Sequence, residues 1–184
     1  PSVGTNGRTI PTPRGKVIGG SSSINGLIFN RGQKMDFDVW AQHGNEGWGY
    51  DDILPYFRRF ESYQDQSDGR FRGKSGEMTI TNLGWRDPLC EAFIEGAASL
   101  GIPRNSDYNG ETQLGTSYVQ RTSTGKIRMS AARAFLKPAK KRENLTIITN
   151  AHATEILLDG KRAKGIAYSR GGASGKIYNI HAAR

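Results

Sequence analysis

The chain has 184 residues, 24 of them glycine, with one cysteine, three histidines and a formal net charge of +9. This length provides for one large or two small hydrophobic cores and excludes a short peptide module. The single cysteine excludes an internal disulfide framework, the scattered histidines give no metal-binding cluster, and no apolar run approaches the roughly 20 residues that span a bilayer.

The first predicted element lies in residues 15–26, which read GKVIGGSSSING. Gly19 and Gly20 permit backbone conformations closed to other residues and let another molecule approach the main chain closely. We predict a helix with the body SINGLIF, capped by Ser21 or Ser22, whose free N–H groups would attract an anion such as phosphate. The alternative is a tight turn that caps an ordinary helix.

Two common phosphate-binding loops do not fit this stretch. A Walker-type loop needs Lys followed by Ser or Thr after its last glycine, whereas Gly20 is followed by three serines. The dinucleotide fingerprint G-x-G-x-x-G has a different glycine spacing and follows a strand, and no clear strand precedes Gly19.

Two helices are predicted next in the chain. DFDVWAQHG indicates a short helix that ends at Gly44, and GYDDILPYFRRFESYQ indicates a second helix capped by Asp51 or Asp52. Apolar residues of the second helix recur at helical spacing and predict a buried core face: Ile53, Tyr56, Phe57 and Phe60.

A polar, glycine-rich stretch at 62–75 precedes a short predicted strand, EMTITN. DPLCEAFIEGAASLG then predicts a helix that stops at Gly101 and presents one apolar face: Leu89, Phe93 and Ala97. Cys90 lies within this helix. We expect it to be an inert core residue rather than a nucleophile, because no histidine is near it in sequence and no redox motif surrounds it.

The last third of the chain is predicted to be rich in strands. GTSYVQRTSTGK indicates a strand that runs into a turn, and SAARAFLKPA indicates a helix with Ser130 as its N-cap. NLTIITNAHATEILLDGKRAKGIAYS predicts a run of strands with a hairpin turn at Asp159 and Gly160. The chain starts with Pro1 instead of Met and ends on KIYNIHAAR, which reads as an interrupted strand. We therefore expect an internal segment of a longer protein.

Charge is unevenly distributed along the chain. Residues 1–100 carry 11 Lys/Arg and 12 Asp/Glu, whereas residues 101–184 carry 15 and 5. Such asymmetry is compatible with a basic nucleic-acid-binding module, which we keep as an alternative function. The favoured interpretation is a solvated helix end, because the densest basic run, KPAKKREN, follows a predicted helix whose C-terminus attracts cations.

Residues 15–38, GKVIGGSSSINGLIFNRGQKMDFD, resemble the first signature of the glucose–methanol–choline (GMC) oxidoreductases along their whole length. The match includes the Gly-Gly-Ser-Ser core, Asn25, Phe29 and Asp38. The later segments DYNGETQLGTSYVQRTSTGKIRMSAARAFLKPA and NLTIITNAHATEILLDGKRAKGIAY are similar to the family in the same order. The resemblance thus covers nearly the whole chain, and among subfamilies it is closest to choline dehydrogenase and related alcohol dehydrogenases.

The resemblance implies an α/β (mixed α+β) fold, in which part of an FAD-binding Rossmann-like domain is interleaved with part of a substrate-binding domain. Residues 11–75 and 126–184 match the flavin-binding segments, 76–125 the substrate-binding segment, and 1–10 a lid-like loop. The implied reaction oxidises a primary alcohol, with choline as a candidate, to an aldehyde by hydride transfer to flavin N5. A quinone, an electron carrier or oxygen would accept the electrons, and no nucleic acid would take part.

The resemblance also assigns cofactor-binding residues. In the loop they are Val17, Gly20, Ser21, Asn25, Gly26, Leu27 and Ile28. Ala153 matches a position whose backbone hydrogen-bonds the adenine ring. Some family members attach the flavin through a histidine just before this asparagine. That position is Ile24 here, so we expect noncovalent FAD.

The resemblance assigns no catalytic residue to this chain. The family's catalytic histidine lies in a segment beyond Arg184, its first dinucleotide-binding turn is missing here, and none of His43, His152 and His181 matches a catalytic position. We therefore expect residues 1–184 alone to be inactive. A noncatalytic flavin-fold scaffold is the second alternative. We expect the protein to lie in the cytoplasm, either free or associated with a membrane.

Overall fold

The computed structural model describes residues 3–67 and 69–182. The first two positions of the predicted lid-like loop and Arg184 lie outside the described residues. The chain divides into two compact units, Pro1–Lys140 and Lys141–Arg184, here called the first and the second unit. Helices and sheets are mixed, which confirms the predicted fold class. Within the described ranges, every helix is too short or too polar to cross a membrane.

The two helices predicted from residue 36 onward are present in the first unit. Helix α1 spans Lys34–Gln42 and is followed by Gly44 at φ 90°, a left-handed conformation that glycine adopts at helix C-termini. Helix α2 spans Tyr50–Phe60. Its N-cap is Gly49 rather than an aspartate, and Asp52 accepts a hydrogen bond from the Gly49 N–H at 3.2 Å.

The apolar face of α2 is less buried than its sequence pattern predicts. Tyr56 is 60% exposed, so its assignment to the core is wrong, and Ile53, Phe57 and Phe60 are only half-buried. These four residues line an open apolar groove together with Phe37 and Trp48. The periodicity identifies the apolar side of the helix correctly, but helical spacing does not determine how much chain packs against it.

Helix α3 spans Pro88–Ser99, as predicted, and Gly101 follows it at φ 86°. Asp87 is its N-cap. The buried residue of this helix is Ile94, whereas Leu89 and Phe93 of the predicted apolar face are 80% and 72% exposed. Cys90 is exposed as well and forms no disulfide, which corrects its assignment to the core.

The strands of the first unit are short. The parallel pair of β1 (Glu61–Tyr63) and β2 (Met78–Ile80) confirms the predicted EMTITN strand and contributes Tyr63 and Ile80 to the core. The antiparallel pair of β3 (Ser123–Thr124) and β4 (Ile127–Arg128) confirms the predicted turn, with Gly125 at φ 53°.

The helix predicted from Ser130 begins at residue 131 and is unusual in its winding. Residues Ala132–Leu136 are π-helical, and the single-turn α4 continues over Lys137–Ala139. Ser130 accepts backbone hydrogen bonds from Arg133 and Ala134, both at 2.9 Å, through its carbonyl oxygen. π-Helical segments are rare and occur frequently at functional sites.

The second unit is a three-stranded antiparallel sheet in the order β5-β6-β7. The strands span Ala151–Asp159, Arg162–Arg170 and Lys176–His181. Asp159 pairs with Arg162 across a turn that contains Gly160 at φ 57°, which confirms the predicted hairpin. The strand prediction is wrong for residues 145–150, because regular pairing begins only at Ala151.

Candidate functional site

The glycine-serine loop, residues 15–26, does not continue into the predicted helix. A single turn of 3-10 helix covers Gly20–Ser23 and is entered through Gly19 at φ 94°. The chain then leaves the helix at Ile24, and Leu27 has φ 68°, which a helix interior excludes. The prediction of a helix through SINGLIF is therefore wrong. The phosphate site expected at the N-terminus of this helix is wrong as well, because a single 3-10 turn has no developed macrodipole.

The serine hydroxyls explain why the helix stops. Ser21 Oγ accepts a hydrogen bond from Gly15 N at 3.1 Å, and Ser23 Oγ donates to the Ile18 carbonyl at 3.0 Å. Ser22 Oγ donates to the Gly19 carbonyl at 2.5 Å and accepts from Ala131 N at 2.9 Å. Serine side chains that bond nearby backbone groups compete with helical hydrogen bonds. They fold this stretch into a compact loop instead.

The glycines of the loop fall into two groups. A methyl group on Gly15 would lie 2.3 Å from the Gly20 carbonyl oxygen, and one on Gly19 would lie 2.5 Å from Ser23 Oγ. These two glycines are needed for the loop's own packing. In contrast, a methyl group on Gly20 or Gly26 would meet no protein atom within 4 Å. At these two positions the backbone faces open space that another molecule can fill.

The residues after the loop are held in an extended conformation by a distant segment. Thr122 N donates to the Leu27 carbonyl at 2.9 Å, and Phe29 N donates to the Gln120 carbonyl at 2.9 Å. Ile28 lies between these two bonds and its side chain is 61% exposed. The left-handed backbone of Leu27 is strained for a residue with a side chain, and such strain clusters at binding sites.

Asn25 has a fixed side-chain orientation. Its Oδ1 accepts a hydrogen bond from Leu27 N at 3.2 Å and another from Arg128 Nη1 at 2.7 Å. Arg128 Nη1 also donates to the carbonyl oxygens of Asn25 at 2.8 Å and of Ser22 at 3.3 Å. Sequence reasoning had missed Arg128. Its distance of about 100 residues from the loop leaves no local signal.

A buried ionic cluster anchors the segment that follows. Arg31 N donates to Asn109 Oδ1 at 2.9 Å and Arg31 Nη1 donates to the Phe71 carbonyl at 2.6 Å. Arg31 Nη2 forms an ion pair with Glu61, and both side chains are almost fully buried. Burial lowers the pKa of the Arg31 guanidinium, and the Glu61 carboxylate opposes that shift.

Glu61 lies at the centre of this cluster. Arg72 contacts it through Nε at 3.0 Å and through Nη2 at 3.2 Å. The same guanidinium donates through Nη1 to Asp107 at 2.5 Å and to Gln120 at 2.9 Å. The two arginines and two carboxylates balance in charge, as buried charges require. The cluster joins β1 to the segment whose Gln120 carbonyl also holds Phe29.

Ala153 lies in the second unit, on strand β5. This strand is at the edge of the sheet, so part of its backbone hydrogen-bonding capacity points away from β6. One face of the sheet bears a shallow apolar depression of about 340 Å³ whose lining includes Ile148, Ala151, Ala153, Ile166, Tyr168 and Ile180. Its size and apolar lining suit a flat aromatic ring.

The histidines are spread along the chain. His43 follows the last residue of α1, and His152 is an exposed residue of β5 that pairs with Ser169. His181 ends β7 and borders the apolar depression of the second unit. Each of the three histidines therefore lies in or next to a helix or strand.

The predicted binding residues of the first unit lie within one loop and its extended continuation. Val17 and Ile28 expose apolar side chains, 57% and 61% respectively. Gly20 and Gly26 leave the backbone open, and Asn25 presents an amide nitrogen without an acceptor among the described residues. Ser21 is exposed, but its hydroxyl is already bonded to Gly15. This combination of open backbone, apolar contact and one polar donor fits a flat heteroaromatic cofactor such as FAD.

Comparison with known proteins identifies the family of this chain. The model of the GMC oxidoreductase family matches residues 2–184. An oxygen-dependent choline dehydrogenase from Brucella ovis is 46% identical over 171 residues, which is 93% of this chain and 30% of that protein. The chain thus spans about a third of the length of the curated relatives it matches.

Two solved structures have the same fold over most of the chain. Pyridoxine 4-oxidase from Mesorbium loti is 32% identical with a TM-score of 0.80, covering 91% of this chain and 33% of that one. An FAD-dependent oxidoreductase from Chaetomium thermophilum is 28% identical with a TM-score of 0.87, covering 97% and 33%. The sequence match and the structural match agree, and the chain belongs to the GMC oxidoreductase family.

Proposed function

We propose that residues 1–184 supply part of the flavin site of an enzyme that oxidises a primary alcohol to an aldehyde. Membership in the GMC family supports an FAD-dependent oxidoreductase. The likeness to choline dehydrogenases favours choline, or a related small alcohol, as the substrate. The electron acceptor is oxygen, a quinone or a carrier, and oxygen is favoured because the Brucella relative is an oxygen-dependent enzyme.

The observation that carries this proposal is the open backbone at Gly20 and Gly26, next to the Asn25 amide nitrogen. When bound, FAD supplies a ring that accepts a hydride from the substrate carbon. Val17 and Ile28 would contact this ring through apolar side chains. Asn25 would donate a hydrogen bond to its polar edge. Because Asn25 Oδ1 is already occupied twice, its amide is available only as a donor.

The other proposed contacts are made by the backbone. Leu27 would place its backbone against the cofactor, and Ser21 would act through its backbone because its hydroxyl holds Gly15. Ala153 would hydrogen-bond the adenine ring from the free edge of β5. Ile24 is 52% exposed and offers no nucleophilic atom, so we propose that FAD is bound noncovalently.

The visible absorption spectrum of the full-length gene product tests the proposal. We expect a flavin band at about 450 nm that moves to the supernatant on acid precipitation. A band that stays in the pellet would mean covalent attachment and would contradict the argument from Ile24. No band after addition of FAD would contradict the flavin site itself and favour a noncatalytic scaffold.

A further inference from the structure

Arg128 is an arginine without a carboxylate partner among the described residues. It ends strand β4, is half-buried, and directs Nη1 into the glycine-serine loop. There it donates to three oxygens: the carbonyl oxygens of Ser22 and Asn25, and Asn25 Oδ1. A guanidinium whose Nη1 faces three oxygens of one loop is well placed to hold the conformation of that loop.

The contact determines which end of the Asn25 amide faces outward. An asparagine amide can present either its oxygen or its nitrogen to a ligand. Here the Leu27 N–H and Arg128 Nη1 both donate to Oδ1, at 3.2 Å and 2.7 Å. A flipped amide would bring its NH₂ group against these two donors. The contact with Arg128 thus leaves the nitrogen free, and the adjacent Gly26 opens onto empty space.

We propose that Arg128 is a positioning residue, which locks the Asn25 amide with Nδ2 toward the cofactor and places a positive charge behind it. This inference rests on the proposed flavin site. A hydrogen-bond donor supported by a cation stabilises an electron-rich ring more than an electron-poor one. Arg128 therefore favours the reduced form of the bound flavin over the oxidised form.

The test uses the full-length gene product and three substitutions. Arg128→Met removes the guanidinium, and Arg128→Lys keeps the charge but not the planar donor group. Lys126→Met is the matched control, because Lys126 is exposed in the turn of the same hairpin and none of the described side-chain contacts involves it. The measurements are the dissociation constant of oxidised FAD, the two-electron midpoint potential of the bound flavin, and the melting temperature.

We expect Arg128→Met to weaken FAD binding about tenfold, the effect of losing one charge-assisted hydrogen bond. Its midpoint potential should fall by about 30 mV for each tenfold loss of preference for the reduced form. Arg128→Lys should restore part of the potential, and Lys126→Met should match the unmodified protein in both values. Unchanged binding and potential in Arg128→Met would overturn the inference while leaving the flavin site intact.

A fourth substitution keeps the inference testable if Arg128→Met does not fold. Asn25→Asp retains an acceptor for Leu27 N and Arg128 but has no N–H to donate outward. We expect a melting temperature close to that of the unmodified protein and a lower flavin potential. An unchanged potential would contradict the proposed role of the Asn25 amide. If the unmodified protein binds no FAD, both the proposed function and this inference are wrong.

Discussion

Glu61→Gln should destabilise the first unit strongly, because it unbalances the buried ionic cluster. The Glu61 carboxylate contacts Arg31 and Arg72, and its Oε1 accepts from Gly73 N at 2.7 Å. The side chains of all three charged residues are at most 1% exposed. Glutamine has nearly the same shape but carries no charge, so the cluster changes from neutral to a net charge of +1.

The expected loss is about 3–5 kcal/mol of unfolding free energy, the range for breaking a buried ion pair by removing one partner. One hydrogen-bond mismatch adds to it, because the glutamine amide nitrogen would face an N–H donor of Arg31 or Arg72. Typical domains have only about 5–15 kcal/mol of total stability. The substitution should therefore remove a large share of the stability of the first unit.

Urea titration followed by circular dichroism measures this loss. Glu111→Gln is the matched control, because Glu111 forms an ion pair with Arg70 in which both side chains are largely exposed. Such surface pairs contribute little, so the control should unfold close to the unmodified protein. The double variant Arg31→Met/Glu61→Gln removes one charge of each sign and should recover part of the loss.

Two results would refute the reasoning. Equal effects of Glu61→Gln and Glu111→Gln would mean that burial of the cluster does not control its contribution. A double variant that is as unstable as Glu61→Gln plus Arg31→Met added together would mean that the uncompensated charge is not the cause.

Three further predictions concern the loop and the helix ends. Gly20→Ala should fold with a loss of about 1 kcal/mol of stability, because Gly20 has a left-handed backbone, and it should bind less FAD. Gly15→Ala should instead distort the loop, because its methyl group would clash with the Gly20 carbonyl oxygen. Flavin content and melting temperature distinguish the two variants. Hydrogen bonds from Lys34 and from the backbone of Tyr50 lower the pKa of Asp38. A carboxyl with a lowered folded-state pKa stabilises above its unfolded pKa of about 4 and loses this contribution as the pH falls through the folded value. Melting temperatures between about pH 6 and pH 3 should therefore fall less for Asp38→Asn than for the unmodified protein. Asp87→Ala should cost about 1 kcal/mol by removing the N-cap of α3, measured by urea titration, and an unchanged midpoint would contradict that role.

The parts of the fold that were predicted correctly depend on local signals. Helices α1, α2 and α3 combine helical apolar spacing with a glycine or an aspartate near their ends. The β5-β6 hairpin is marked by Gly160 between two alternating segments. Each signal lies within about 15 residues, the range over which sequence patterns are informative.

The incorrect predictions depend on contacts between distant residues. Besides the local serine bonds, the loop is kept from a helical course by the contact of Ser22 with Ala131 and by the pairing of residues 27–29 with residues 120–122. The exposure of Cys90 on α3 likewise depends on which distant residues pack against the helix. A helical pattern identifies an apolar side, but what packs against that side is a property of the tertiary structure.

The candidate site shows the same division between local and distant information. The loop residues proposed to touch the cofactor all lie between Val17 and Ile28, so a single motif contains them. The residues that hold the loop, Gln120, Thr122, Arg128 and Ala131, come from a segment about 100 residues later. That segment reaches the loop mainly through backbone carbonyls and backbone N–H groups, and these contacts are independent of side-chain identity. Two side chains add to them: the Thr122 hydroxyl donates to the Leu27 carbonyl, which the Thr122 backbone N–H also contacts, and the Arg128 guanidinium reaches Asn25. Because the contact with the Asn25 side chain comes from the Arg128 side chain, a substitution at this distant position can alter the site without altering the motif.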